Sequence, residues 1–208
     1  MSSDLALDPA AANGPLLVVL TGPSGVGKDA VIGRLKEIGS PCHVTITATT
    51  RPQRAGETHG VDYYFVSQDE YRRMLDAGEF LEHATVYGHG YGIPRGPVRE
   101  ALAAGKDVVM RIDVQGAATV ARLVPGSVRI FLAPPSFEEL EQRLRNRKSD
   151  DEDVIARRLQ TAHEEMKRAG ECDYVVVNED ARLDDTVCQI DAIMRAEHRR
   201  IRRARVVV

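Results

Sequence analysis

The run Leu16 to Leu20 is apolar without a break, closes on Thr21-Gly22-Pro23, and is followed by Val31, Ile32, Leu35 and Ile38 at helical spacing before Gly39. An unbroken apolar run of this kind marks a strand buried on both faces, and its natural host is a parallel sheet. Between strand and helix stands Gly22-Pro23-Ser24-Gly25-Val26-Gly27-Lys28. The glycines let backbone N–H groups turn inward around phosphate oxygens. The helix N-terminus adds positive potential, and Lys28 reaches terminal phosphates. Strand, glycine turn and helix in that order make this a P-loop rather than a tight turn that binds nothing. The motif ordinarily finishes on Ser or Thr, whose hydroxyl meets Mg²⁺, but this chain has Asp29.

Further buried-type strands are expected at Val108 to Ile112, Val128 to Leu132 and Tyr174 to Val177, separated by helical patterns. That alternation specifies an α/β doubly wound sheet. Two segments break the rhythm. Residues 47–94 hold short strand-like pieces at Tyr63 to Val66 and Phe80 to Val86, many glycines, and one helix opened by a capping box of Ser67 with Glu70. Residues 136–168 carry two helices, capped by Ser136 with Glu139 and by Ser149 with Glu152, and no strand. The expected organisation is a loose arm over 1–14, core over 15–46, a mixed-sheet insertion over 47–94, core over 95–135, a helical flap over 136–168, and core with a C-terminal helix over 169–208. At 208 residues, 43% hydrophobic and 28% charged, this is one compact domain with insertions.

Charge and cysteine content exclude several classes. A net charge of −3 lacks the footprint of a nucleic-acid binder, and no apolar run approaches the roughly 20 residues that span a bilayer. No nucleic acid or membrane partner is therefore expected, and the cytoplasm is the expected location. Cys42, Cys172 and Cys188 are odd in number and widely spaced, which argues against a disulfide framework or a metal cluster and for ordinary buried thiols. Of the 28 basic residues only five are lysine, and most arginines cluster, which suits the planar fork that binds phosphate. The C-terminal arginines from Arg195 to Arg205 read as a solvated helix end favoured by the macrodipole.

The segment Thr49-Thr50-Arg51-Pro52-Gln53-Arg54-Ala55-Gly56-Glu57, with Gly60 and Asp62-Tyr63-Tyr64-Phe65, resembles the guanylate kinase family. The likeness continues through Phe80-Leu81-Glu82, Tyr91-Gly92, Asp113-Val114-Gln115-Gly116, Arg143 to Arg147, Ile155 to Leu159 and Asp173 to Asn178, covering about Leu16 to Ile193 in order. It implies a P-loop nucleoside monophosphate kinase fold in which 47–94 is a GMP-binding domain and 136–168 a lid. It also implies ATP and Mg²⁺ as co-substrate and metal, GMP as acceptor, and a monomer or homodimer.

On that resemblance Arg51, Arg54, Tyr63 and Tyr91 clamp the acceptor phosphate, and two guanidinium forks suit a dianion. Glu82, Asp113 and Thr47 read the base. Glu82 suits guanine because N1–H and the N2 amine are two donors for a group that only accepts. Lys28 with Arg143, Arg147 and Arg158 neutralises the transferring phosphoryl group, and Asn178 lies on the adenine side. Arg143 and Arg147 share a helix face, whereas Arg145 and Arg157 read as surface charges. A guanylate-kinase-like module that binds protein without catalysis is the alternative from another class, and Lys28 with the lid arginines speaks against it. A P-loop kinase acting on a sugar phosphate is the enzymatic alternative, and Arg51, Arg54, Tyr63 and Glu82 together favour GMP.

Two departures from the family pattern stand out. Ile93 replaces a hydroxyl residue near the guanine 6-oxo group. Asp29 replaces the P-loop hydroxyl, while Arg111 stands where a carboxylate near the metal is common. The expectation is that Asp29 ligates the metal or pairs with Arg111, the two acting as a unit.

Overall fold

The computed structural model describes residues 14–86, 88–146, 152–201 and 204–208. Strand β1 (Leu17–Thr21) has no exposed residue. Its side chains divide by the period-2 alternation of a strand. Leu16, Val18 and Leu20 enter a core beneath helix α1 (Lys28–Glu37), and Leu17 and Val19 enter a separate core on the opposite face. Both faces must therefore be covered, and a purely parallel sheet with helices on each side meets that requirement.

The described elements that follow are β2 (His43–Val44), β3 (Thr47–Thr49), β4 (Tyr63–Phe65), α2 (Gln68–Asp76), β5 (Phe80–Val86), β6 (His89–Pro94), α3 (Arg95–Ala103), β7 (Val108–Arg111), α4 (Val114–Leu123), β8 (Val128–Ala133), α5 (Phe137–Arg145), α6 (Glu152–Lys167), a 3₁₀ turn (Arg168–Glu171), β9 (Tyr174–Val177) and α7 (Leu183–His198). The core sheet runs β2-β7-β1-β8-β9, parallel throughout. β1 lies between β7 and β8, so the chain leaves β1 and β7 at the same edge of the sheet. Ligands of open α/β sheets gather at that carboxyl edge.

A second sheet, β4-β3-β6-β5, is mixed: β3 and β4 are parallel, whereas β6 is antiparallel to β3 and β5. It occupies the 47–94 insertion. It joins the core through Leu81 and Ile93, which are buried in the same cluster as Leu17, Val19, Val98 and Val120. Ile93 thus serves packing where the family pattern has a hydroxyl.

The strands expected from apolar runs are present within a residue at either end. Strands β2, β3 and β6 and helix α3 were not separately expected. β6 reads His-Gly-Tyr-Gly-Ile-Pro, a poor strand in isolation, and its conformation is imposed by pairing with β3 and β5. Ser67 caps α2 by accepting from the Glu70 backbone N–H at 3.1 Å, but the Glu70 side chain turns to Arg73, so half of the capping box forms. Ser136 caps α5 by accepting from the Glu139 N–H at 3.2 Å. Ser149 and the arm up to residue 13 lie outside the described residues.

The cysteines depart from the expectation of burial. Cys188 is exposed on α7, and Cys42 and Cys172 are only half-buried.

Helix α5 is tied to the core rather than standing clear of it. Leu140 and Leu144 are fully buried with Leu20 and Val26, and the Leu144 side chain lies against Gly25 of the P-loop. Leu144→Ala is expected to destabilise the protein by about 2–5 kcal/mol through the cavity it leaves, which is roughly 2–4 °C in Tm per kcal/mol for a chain of this size. Calorimetric melting checks this, and an unchanged Tm would mean that α5 is not anchored there.

Candidate active site

The P-loop follows β1 directly, and Gly27 opens α1 with φ of 101°, in the left-handed region that side chains avoid. A Cβ there would come within 2.4 Å of the Asn178 amide. That amide braces the loop: Asn178 Nδ2 donates to the Val26 carbonyl at 2.8 Å while its Oδ1 accepts from Thr186 at 3.0 Å. Asn178 is 7% exposed. Both ends of its side chain are engaged with protein, so in this structure it holds the P-loop. Lys28 folds back onto the loop, its Nζ donating to the Gly22 carbonyl at 2.5 Å and to Pro23 at 3.1 Å. Burial lowers its pKa, against the pull of Glu165 and Asp29.

Arg143 is already docked beside this loop. It donates to the Asn178 carbonyl at 2.8 Å, reaches the Val26 carbonyl at 3.4 Å, and pairs with Asp180 at 2.6 Å. Arg158 is half-buried on α6. Arg147 lies outside the described residues.

A second cluster of polar side chains is built on the small sheet. Thr49 Oγ1 donates to the Gly90 carbonyl at 3.0 Å and accepts from the Arg51 N–H at 3.1 Å, which fixes the loop that carries Arg51. Arg51 pairs with Glu57 at 2.7 Å and lies over the Tyr63 ring, 5.3 Å from its centroid. Tyr63 meets Tyr91 edge-on at 6.3 Å. The Arg54 backbone N–H bonds Glu57 at 2.8 Å while its side chain is exposed. Arg51, Tyr63 and Tyr91 are thus brought together, and Arg54 stands at the rim.

Glu82 on β5 is 6% exposed, and no ion pair joins it among the described residues. Burial, reinforced by the charge of Asp113, pushes its carboxyl up to about 7. Gly116 makes the room for it, since a Cβ at that position would sit 2.8 Å from Glu82 Oε1. Asp113 caps α4, its Oδ1 accepting from the Gln115 and Gly116 N–H groups at 2.9 and 2.8 Å. The cap fixes the Asp113 carboxylate near Glu82. Thr47 is buried at the start of β3.

Arg111 joins the two halves. From the end of β7 it forms an ion pair with Asp29, donates to the Tyr63 hydroxyl at 2.9 Å, and lies over the Tyr63 ring. Guanidinium can only donate, so the Tyr63 oxygen accepts and the phenol keeps its own proton to give to another acceptor. The pairing engages Asp29 Oδ1, and the Asp29 side chain is otherwise largely exposed. No group of three or more candidate ligands occurs among the described residues. A carboxylate oxygen such as that of Asp29 is a suitable hard donor for Mg²⁺.

Residues that reading the sequence passed over are Glu165, Thr186 and the spacing role of Gly116. Glu165 sits in a Glu164-Glu165 pair that reads as a solvated face. The signal available was its place three residues after Ala162 and one before Met166, on the apolar side of α6.

A parallel sheet opening on a P-loop, with an arginine-tyrosine cluster on a small sheet tied to it by Arg111, defines a P-loop phosphotransferase of the nucleoside monophosphate kinase fold. Residues 15–197 match the family model described as guanylate kinase. The chain is 45% identical over 193 residues to the rice protein named guanylate kinase 2, chloroplastic/mitochondrial, covering 92% of this chain and 68% of that one. It is 49% identical over 180 residues to a guanylate kinase of Corynebacterium diphtheriae, covering 86% and 93%. The crystal structure of guanylate kinase from Anaplasma phagocytophilum superposes with a TM-score of 0.75 at 33% identity, covering 92% and 91%. The chain belongs to the guanylate kinase family.

The Arg111 geometry yields a test. Asp29→Ser and Arg111→Asp should each lower ATP-dependent turnover, and the double exchange should recover part of it. Asp29 is 71% exposed, so coupling near the lower end of the ~0.5–3 kcal/mol range for contacting residues is expected. Recovery stays incomplete because Tyr63 also loses its partner. A double-mutant cycle in turnover measures the coupling, and strict additivity would show that the pair is not a unit.

Proposed function

We propose that this chain transfers the terminal phosphoryl group of ATP to GMP, giving ADP and GDP. The observation that carries the reading is Glu82: a buried carboxylate that no ion pair joins among the described residues, set apart from the cluster of Arg51, Tyr63 and Tyr91 on the same small sheet, is what a guanine-reading group requires. Guanine offers it two donors, whereas adenine turns the N1 lone pair toward it and leaves the carboxylate unpaired.

The remaining residues divide the reaction by position. The P-loop amides and Lys28 hold the donor phosphates, and Arg51, Arg54, Tyr63 and Tyr91 hold and orient the acceptor phosphate. Glu82, Asp113 and Thr47 select the base. An oxygen of the acceptor phosphate attacks in line, so no side chain acts as nucleophile, and catalysis is positioning with charge neutralisation. Arg143, Arg147 and Arg158 supply positive charge as the phosphoryl group moves. Asp29 would help to hold Mg²⁺ brought in with ATP, and the ion when bound would supply further charge neutralisation. Asn178 acts through the P-loop it braces. Residues 47–94 serve as the acceptor domain, and 136–168 as the lid that excludes water. No described helix is long and apolar enough to cross a membrane. The cytoplasm is the proposed location, and monomer or homodimer the proposed state.

ADP formation measured with GMP, with AMP and without acceptor tests the reading. GMP should be preferred by up to about 10⁴-fold, since sites built to hydrogen-bond a group reject analogues lacking it. Glu82→Gln should erode that ratio, and an unchanged ratio would remove Glu82 from base reading. Equal turnover with no acceptor would overturn the kinase reading itself.

The raised Glu82 carboxyl adds a pH dependence. In the free protein its contribution to stability is present below the ordinary carboxylate range and lost as pH rises through about 7, because ionisation there is opposed by burial. Guanine binding needs the ionised form, so GMP affinity should strengthen between about pH 6 and about pH 8. The GMP phosphate also titrates near 6. Calorimetric titrations of wild type and Glu82→Gln separate the two: the variant keeps only the ligand's own dependence. Parallel pH profiles would assign the whole effect to the ligand.

A further inference from the structure

Glu165, near the end of α6, is half-buried, and its Oε2 accepts from the backbone N–H of Ser24 at 3.2 Å. Ser24 lies inside the P-loop, so a carboxylate of the protein is bonded to a backbone amide of that loop. Burial lowers the Lys28 ammonium, and Glu165 is foremost among the charges that oppose this. Burial also pushes the Glu165 carboxyl up, against the pull of Lys28 and the Ser24 N–H. Its carboxylate therefore accepts from a loop amide, as a phosphate oxygen can, and acts on Lys28 as a nearby negative charge without a direct ion pair.

We propose that Glu165 is a built-in occupant of the donor-phosphate cradle, which the terminal phosphates of a nucleoside triphosphate must displace. The proposal rests on reading the P-loop as the ATP site. Before a nucleotide binds, Glu165 gives a loop N–H an acceptor and sets a negative charge near the half-buried Lys28 ammonium, whose Nζ is held by the Gly22 and Pro23 carbonyls. When the donor arrives, a carboxylate and a polyphosphate compete for the same amide and the same cation. The polyphosphate prevails because it carries more charge and more acceptor oxygens. Arg158 lies seven residues before Glu165, two turns back on the same face of α6. Displacing Glu165 therefore acts on the helix that carries a proposed phosphoryl-stabilising arginine, and donor binding is coupled to where that arginine sits.

Calorimetric titration of the full chain with inorganic tripolyphosphate, without GMP, tests this in wild type, Glu165→Gln and Glu165→Asp. Glu165→Gln keeps the size of the side chain and removes its charge, so tripolyphosphate should bind about tenfold tighter, the equivalent of one hydrogen bond to a charged group. Glu165→Asp retains the charge one methylene further back and should fall between the two. In GMP-dependent turnover Glu165→Gln should lower the KM for ATP. A residue that merely braces the loop would give the opposite sign, so unchanged or weaker binding in Glu165→Gln overturns the proposal while leaving the ATP site intact. A wild-type protein that binds no tripolyphosphate would overturn both readings.

Discussion

Complete burial of β1 is the constraint on which the rest of the molecule depends. With no exposed residue along the strand, each face must be covered by apolar side chains from elsewhere, and the two cores contain residues of nearly every other described element. Parallel neighbours on both sides follow, because antiparallel hairpins would not carry helices to each face. Parallel neighbours in turn end at a common edge, and the P-loop leaves β1 beside Arg111 and Asp113 leaving β7. The catalytic edge is a consequence of how an apolar strand is hidden.

Charged side chains at that edge are held by specific partners, most of them in other segments. Asp29 from α1 meets Arg111 from β7, Arg51 meets Glu57 within the loop after β3, Glu165 from α6 bonds a P-loop amide, and Arg143 from α5 bonds carbonyls of both the P-loop and the loop after β9. Low dielectric makes each charge expensive alone and effective when paired. The same pairing registers the elements against one another. Arg111 shows this most directly, since one guanidinium ties the start of α1 to an aromatic residue of the acceptor sheet. Glu82 is different: no ion pair joins it among the described residues, and burial raises its carboxyl.

Much of this was legible in the residues. The apolar run at Leu16, the glycine turn and the arginine-rich Thr49 to Glu57 segment each carry a local signal, because burial on two faces, close approach of backbone to phosphate and bidentate phosphate recognition each demand particular residue types at short spacing. Serine caps at Ser67 and Ser136 were readable for the same reason. The departures at Asp29 and Arg111 could be seen as linked, since strands of one parallel sheet end together. β6 could not be read so, because its glycines and proline deny it intrinsic strand preference and only pairing with β3 and β5 gives it a conformation.

The sequence by itself determined the fold class, the glycine loop, and the arginine, tyrosine and carboxylate residue types gathered at the site, since these rest on local periodicity and on chemistry contained within a few residues. Tertiary structure alone decided which of those side chains are engaged with protein: Asn178 as a brace under Val26, Arg143 docked beside the loop, Ile93 in a core, and Glu165 in the cradle. Each of these depends on contacts between residues far apart in the chain, from 35 positions for Arg143 with Asn178 to 152 for Asn178 with Val26. Neither burial nor the partner of a polar group is written in its neighbours. Both are set when distant elements pack and water leaves.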